Sequence, residues 1–299
     1  MYTYEYTTLQ ELADVAQKYG ITLSEAALRH ETETSERTVE EVRETMAERL
    51  TVFHESIKSG LEDTGKSVSG LVGGDAAKMA AKGPRLLGTA AHKAATYAVA
   101  INEANAKMFK IVACPTAGSC GILPAAVIAV AETEGFTDDD CLNPLFTAAG
   151  IGAVVARNAS VAGAVGGCQA ECGSAAAMAA AAVAELMGGT NDEVLQAFAL
   201  AMKNILGLAC DPVAGLVEVP CVKRNGVFAV IALTAAEMAL AGVRSVIPPD
   251  EVIAAMDEIG RLLPVSLKET ADSGLAKTET GKAIAERLSA EVEKSKYSL

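Results

Sequence analysis

Along most of the chain apolar residues recur at spacings of three and four with polar residues between them, which is the periodicity of helices rather than strands. Residues 7–19 read as a short amphipathic helix closed by Gly20. A longer, heavily charged stretch from Ser24 to Ser59 reads as one helix whose Glu and Arg side chains form a solvated face or lie against a partner. Near residue 60 the pattern stops. SGLEDTGKSVSGLVGGD is rich in Gly and Ser and predicts a loop. From about residue 88 an Ala-rich helical spacing returns, cut near 112–121, 135–143, 163–173, 188–191, 207–226 and 244–249. The pieces between the cuts predict helices over 89–109, 121–134, 144–161, 173–187, 192–206, 226–242, 249–262 and 281–296. Lys110–Ala113 (KIVA) is short enough for a strand, but one strand makes no sheet. The fold class expected is mainly α, a compact Ala-rich multi-helix bundle with functional loops at helix ends. An N-terminal helical arm spans 1–60 and the catalytic helical region 61–299, as one continuous α domain.

Composition sharpens this picture. Hydrophobic residues make up 51% of the 299-residue chain and aromatic residues only 4%. The core must therefore be filled by small aliphatic side chains, which lets helices approach closely. The formal charge is 25 − 38 = −13. That excludes the basic face a nucleic-acid binder needs and disfavours an anionic membrane surface. The N-terminus, MYTYEYTTLQ, lacks the order of charged then apolar residues found in a signal peptide. The apolar stretches 121–131, 144–156 and 172–187 read as buried helices, the third carrying Glu185. A cytoplasmic protein is expected. Its seven cysteines are an odd number, which argues against a disulfide framework.

The unusual residues lie between the helices, where functional groups are commonly carried. The first such segment, Cys114-Pro115-Thr116-Ala117-Gly118-Ser119-Cys120-Gly121, precedes a helix. Free amides at a helix start favour an anion, so Thr116, Ala117, Gly118 and Ser119 are candidates to bind a substrate carboxylate. A plain glycine turn reads equally well. The second is Gly166-Gly167-Cys168-Gln169-Ala170-Glu171-Cys172-Gly173, and the third runs from Cys210-Asp211-Pro212 to Pro220-Cys221. Zinc sites usually pair close cysteines or add histidines. Here His30, His54 and His92 all lie far upstream. Thiolates spread over separate loops suit an iron–sulfur cluster better, although spacing alone does not decide it.

At these segments the chain resembles the iron–sulfur-dependent L-serine dehydratases, specifically the separate α subunit of the two-subunit type. The resemblance rests on CPTAGSCGILPA, GGCQAECGSAAAMAAAA and CDPVAGLVEVPCVKRN. SVSGLVGGDAAKM (67–79), YAVAINEANA (97–106) and LKETADSGLAKTETG (267–281) extend it. The resemblance implies a [4Fe-4S] cluster held by Cys168, Cys210 and Cys221, with Cys172 a neighbour and Cys114, Cys120 and Cys141 in packing roles. It implies dehydration of L-serine to pyruvate and ammonia, with a cluster iron acting on the β-hydroxyl. Lys78, Asn102, Lys268, Glu269 and Thr270 lie in matching motifs. They are candidates for catalytic or substrate contacts, or else ordinary surface and cap residues. The general base is not identified. His92 precedes one motif, and a base donated by a partner is open.

Single-chain relatives add an α/β domain and end in a cysteine able to reach the cluster. This chain ends KYSL, and no strand-rich segment is left over, so a separate β subunit is expected, with a homo-oligomer also possible. Pyridoxal phosphate is not expected, because it calls for a lysine Schiff base, a phosphate cup and usually an α/β scaffold. The alternatives are an iron–sulfur L-cysteine desulfidase and a non-catalytic cluster-binding redox sensor.

Overall fold

A computed structural model describes residues 2–296, so residues 297–299 of the KYSL terminus lie outside the described residues. The chain is mainly α. Its helices are α1 (Leu9–Tyr19), α2 (Leu23–Ser35), α3 (Val39–Glu62), α4 (Asp75–Lys82), α5 (Thr89–Ala106), α6 (Ile122–Glu134), α7 (Asp138–Asn158), α8 (Gly163–Gly166), α9 (Ser174–Leu186), α10 (Asn191–Lys203), α11 (Cys221–Leu240), α12 (Pro249–Leu262) and α13 (Glu279–Lys296). Among the described residues the only β-type pairing is one isolated parallel bridge, Cys210 with Lys268, and the KIVA segment is irregular.

The Ala-dominated α9 runs through the centre, packed by α6, α7, α10 and α11, while α5 packs against α3, α6 and α11. Leu9, Leu12, Leu23, Val42, Met46 and Phe53 of the first sixty residues are buried in the same continuous core as α6, α9 and α10. The stretch Ala117–Glu134 has the length and hydropathy to cross a membrane, but 72% of it is buried inside this bundle.

Three boundaries differ from the periodicity. The stretch expected as one helix over 24–59 is two helices, α2 and α3. Glu36 takes a left-handed conformation, and Thr38 restarts the chain with a capping box to Glu41. The break expected over 135–143 is mostly helix, because Thr137 and Asp140 form another capping box and α7 carries Pro144 inside it. Helix α11 starts at Cys221 rather than 226.

Within the segment expected as loop, the buried Glu103 of α5 gathers the amides of Gly73, Gly74, Asp75 and Ala76. This carboxylate satisfies the orphan donors at the start of α4, a helix the periodicity does not predict. Close approach is enforced elsewhere by Gly60, where a Cβ would overlap the carbonyl of Ala100 on α5.

Candidate functional site

All seven cysteines are free and buried, and they fall into two groups. Cys114, Cys120 and Cys141 sit in the packing, with Cys114 Sγ 3.5 Å from the carbonyl of Val112 and Cys141 Sγ 3.5 Å from that of Thr137. Burial holds both of these thiols up at about 12. The other four are mutually close enough to perturb one another. The thiols of Cys172 and Cys210 donate toward Cys168, and the Arg224 guanidinium stands beside it, so Cys168 is held well below the usual thiol range. Cys172 and Cys210 are pushed up by the same contacts and by burial. Burial and the Cys168 charge push Cys221 up to about 12. Of the four, Cys168 is the thiol whose surroundings favour the thiolate. Among the described residues no three Cys, His, Asp or Glu side chains surround a single point tightly enough to chelate one metal ion.

The segments carrying these thiols are pinned from several sides. Cys168 leads into a π-helical turn, Gln169–Gly173, that runs directly into α9. The helical spacing is cut over 163–173 in the sequence, and the finding there is a helical turn of the kind often placed at functional sites. Gln169 ties it down: its side chain donates to the carbonyl of Met256 and accepts from the amide of Gly207. Cys210 is held by backbone pairing, its N–H donating to Leu267 and its carbonyl accepting from Glu269. Asp211 accepts from Arg224 at 2.9 Å and from the amide of Leu275 at 2.9 Å. Arg224 also donates to the carbonyl of Ala209. Glu218 accepts from Ser67 and Ser69, which fastens the 67–79 motif to the cysteine segment.

The Cys114–Ser119 segment faces this group. Thr116 caps a single 3-10 turn, Ala117–Ser119. The Ser119 hydroxyl is 3.3 Å from the carbonyl of Cys114, and the Thr116 hydroxyl donates to Glu171 at 2.9 Å. Among the described residues the amides of Ala117 and Gly118 find no acceptor. Of the four candidates, then, two present free backbone donors and two have their hydroxyls engaged by the protein.

Glu171 is the link between the segments. Its second oxygen lies 3.8 Å from Cys210 Sγ, and a Cβ at Gly163 would collide with it. Burial pushes its carboxyl up to about 7, against the pull of the Thr116 hydroxyl. Asn225 is a second link. It donates to the carbonyls of Gly118 and Cys221 at 2.8 and 2.9 Å and accepts from the amide of Gly121 at 3.0 Å.

The remaining candidates separate. Asn102 is fully buried behind the loop, with its Nδ2 3.6 Å from Cys120 Sγ and its Oδ1 without a partner. Lys268 and Glu269 reach the site through their backbone pairing with Cys210, while the exposed Thr270 donates to the carbonyl of Val265. Lys78 is not brought to the thiols. It is exposed and paired with Asp75 at 2.8 Å, which also binds Lys223. Sequence reasoning passed over Glu171, Asp211, Arg224 and Asn225. Each is a polar residue inside a cysteine motif, in CQAEC, CDP or CVKRN, and that adjacency was the available signal.

Comparisons with known proteins bear on this arrangement. The model for the serine dehydratase alpha chain family matches residues 18–276. A probable L-serine dehydratase alpha chain of Bacillus subtilis (strain 168) is 46% identical over 286 residues, 95% of each chain. The L-serine dehydratase alpha chain of Peptoniphilus asaccharolyticus is 42% identical over 280 residues, 93% of this chain and 96% of that one. An L-serine dehydratase of Streptomyces coelicolor is 39% identical over 281 residues, 91% of this chain but 61% of its own.

Proposed function

Because the chain belongs to the serine dehydratase alpha chain family, we propose that it is the catalytic alpha chain of an L-serine dehydratase, releasing pyruvate and ammonia from L-serine. We further propose a [4Fe-4S] cluster held by Cys168, Cys210 and Cys221. The observation that carries the cluster reading is the donor set. Four buried thiols from three segments meet beside one guanidinium, with Cys168 already favoured as a thiolate. A thiolate-rich set without imidazole suits iron–sulfur chemistry better than zinc. Cys172, in contact with Cys168, is read as packing beside the ligands.

When bound, such a cluster supplies a Lewis-acidic iron for the departing β-hydroxyl. The protein's own contribution is positioning. The free amides of Ala117 and Gly118 take the substrate carboxylate. Glu171 and Asn225 hold that loop against the cysteine segments, which fixes the distance between the substrate's two ends. Asn102 offers the unpaired, buried oxygen of its side-chain amide behind the loop. The α-proton leaves to a base, hydroxide leaves from the β-carbon, and the enamine formed tautomerises and hydrolyses to pyruvate and ammonia. Lys268, Glu269 and Thr270 belong to the strap that closes over Cys210, and Lys78, exposed and paired with Asp75, takes no part in the site.

A separate β subunit completes the enzyme. In support, this chain spans nearly all of two relatives named alpha chains but 61% of the longer Streptomyces enzyme. The functional assembly is a cytoplasmic heteromer that also allows self-association. The test is anaerobic purification with iron and sulfide analysis, and assay of pyruvate from serine with and without the β chain. Iron and activity are expected together. Cys210→Ala and Cys221→Ala lose the iron, and Cys141→Ala keeps it. An iron-free chain that dehydrates serine at full rate overturns the cluster assignment.

A further inference from the structure

Away from the thiols, helices α2, α3 and α7 enclose a cavity of about 270 Å³ with the N-terminal segment at one wall. Its floor is apolar and buried, built from Ala27, Val42, Met46 and Phe146. Its polar lining is unusual in a chain of net charge −13. Two guanidiniums, Arg37 and Arg49, stand on it with His30 and the Tyr6 hydroxyl, and Glu31 is the single acidic side chain there.

Several of these donors lack protein partners. Among the described residues Arg49 forms no ion pair or hydrogen bond, and the hydroxyl of the buried Tyr6 forms none either. Arg37 uses one nitrogen, donating to the carbonyl of Glu41 and the hydroxyl of Thr45. The His30 ring packs on Tyr6 with centroids 4.7 Å apart, and its Nδ1 is sealed from solvent with no partner. A polar group left unpaired in a buried place is costly. Of the four donor-bearing side chains around this hollow, Tyr6 is buried and His30 Nδ1 is sealed, while Arg37 and Arg49 stand exposed at its rim. Room for the Tyr6 hydroxyl exists only because α7 carries Gly150, where a Cβ would stand 2.9 Å from that oxygen.

We propose that this cavity binds a small organic anion: a carboxylate at the Arg37–Arg49 rim, with a short apolar body on the Val42–Met46–Phe146 floor. The size argues for a molecule of a few carbons, since pockets for drug-sized ligands begin at about 300 Å³. The floor argues against bare phosphate, which has no apolar surface to bury. The site is separate from the one that takes the substrate. Arg49 also borders a second surface hollow with Lys110 and Val112, just before the Cys114–Ser119 segment. An anion held there therefore sits beside the root of the substrate loop.

The chain has three histidines, so its imidazole NMR spectrum is simple. His30→Gln identifies the His30 signal. Pyruvate is the first probe, titrated into the full-length chain at constant ionic strength. The His30 signal is expected to move saturably, while those of His54 and His92 stay in place. In Arg49→Gln the midpoint is expected to rise about tenfold or more. Thr116→Ala, in the proposed substrate loop, leaves the His30 titration unchanged, which separates this site from the catalytic one. Inorganic phosphate is the second probe and is expected to bind more weakly than pyruvate. The proposal is overturned by the absence of a saturable His30 shift at millimolar pyruvate, or by an Arg49→Gln midpoint equal to that of the parent chain. Phosphate binding as tight as pyruvate also overturns it.

Discussion

Asn225 shows how much one side chain can carry. Its amide meets Gly118, Gly121 and Cys221 at once, so every hydrogen-bonding group it owns is committed. Asn225→Ala leaves these buried partners unpaired, at about 1–3 kcal/mol for each unsatisfied group. Lower thermal stability and a raised KM for serine are expected together. A stable variant with an unchanged KM would show that the loop does not need the tie. Glu185 makes a different point. Burial raises its carboxyl above the usual range, although Ser24 and Thr147 donate to it. An acid whose folded pKa is raised favours the fold fully below its unfolded value of about 4.3 and loses that contribution as pH rises. Glu185→Gln keeps an acceptor for one hydroxyl and a donor for the other, without the charge. The variant is expected to melt above the parent at pH 7, with the gap closing toward pH 4. A gap that stays constant across melting curves from pH 4 to 8 refutes this.

At the level of elements, close contact decides more than propensity. Gly60→Ala drives a methyl into the Ala100 carbonyl between α3 and α5, and destabilisation of about 3 kcal/mol or more is expected by denaturant titration. Gly20→Ala meets nothing within 4 Å and strains only a left-handed cap at φ 64°, for about 1 kcal/mol. A similar loss from both would refute the steric account. The helices themselves were legible in the sequence because small apolar residues recur with helical spacing. The breaks were less so. Gly, Pro and Asp runs marked them at 135–143 and 221–226, where capping boxes and tertiary packing continue the helix instead. Helix α4 was illegible for a clear reason: the group that caps it, Glu103, lies twenty-eight residues from Asp75 in the chain. At the candidate site the cysteines stood out by type, whereas Glu171 and Asn225 matter through partners that only the fold brings near.

On the scale of the whole molecule, the thiol group is a junction of distant segments. The turn before α9, the loop before α11 and the 267–275 strap meet there, fastened by Asp211. Asp211→Ala removes a buried partner of Arg224 and the acceptor of the Leu275 amide, a change that costs about 3–5 kcal/mol when a buried pair is broken. Faster hydrogen exchange across 267–275 is expected, with exchange in α6 and α9 little altered. Uniform loosening of all three would mean the strap is not a local clasp. The backbone pairing of Cys210 with Leu267 and Glu269 also bears on synthesis. During translation Cys168, Cys210 and Cys221 leave the ribosome well before the residues that lock Cys210 in place. Until residues 267–269 follow, the nascent chain lacks the backbone partners that hold Cys210. A cluster of the kind proposed above would meet only a half-built site if it were delivered before residues 267–269 are in place.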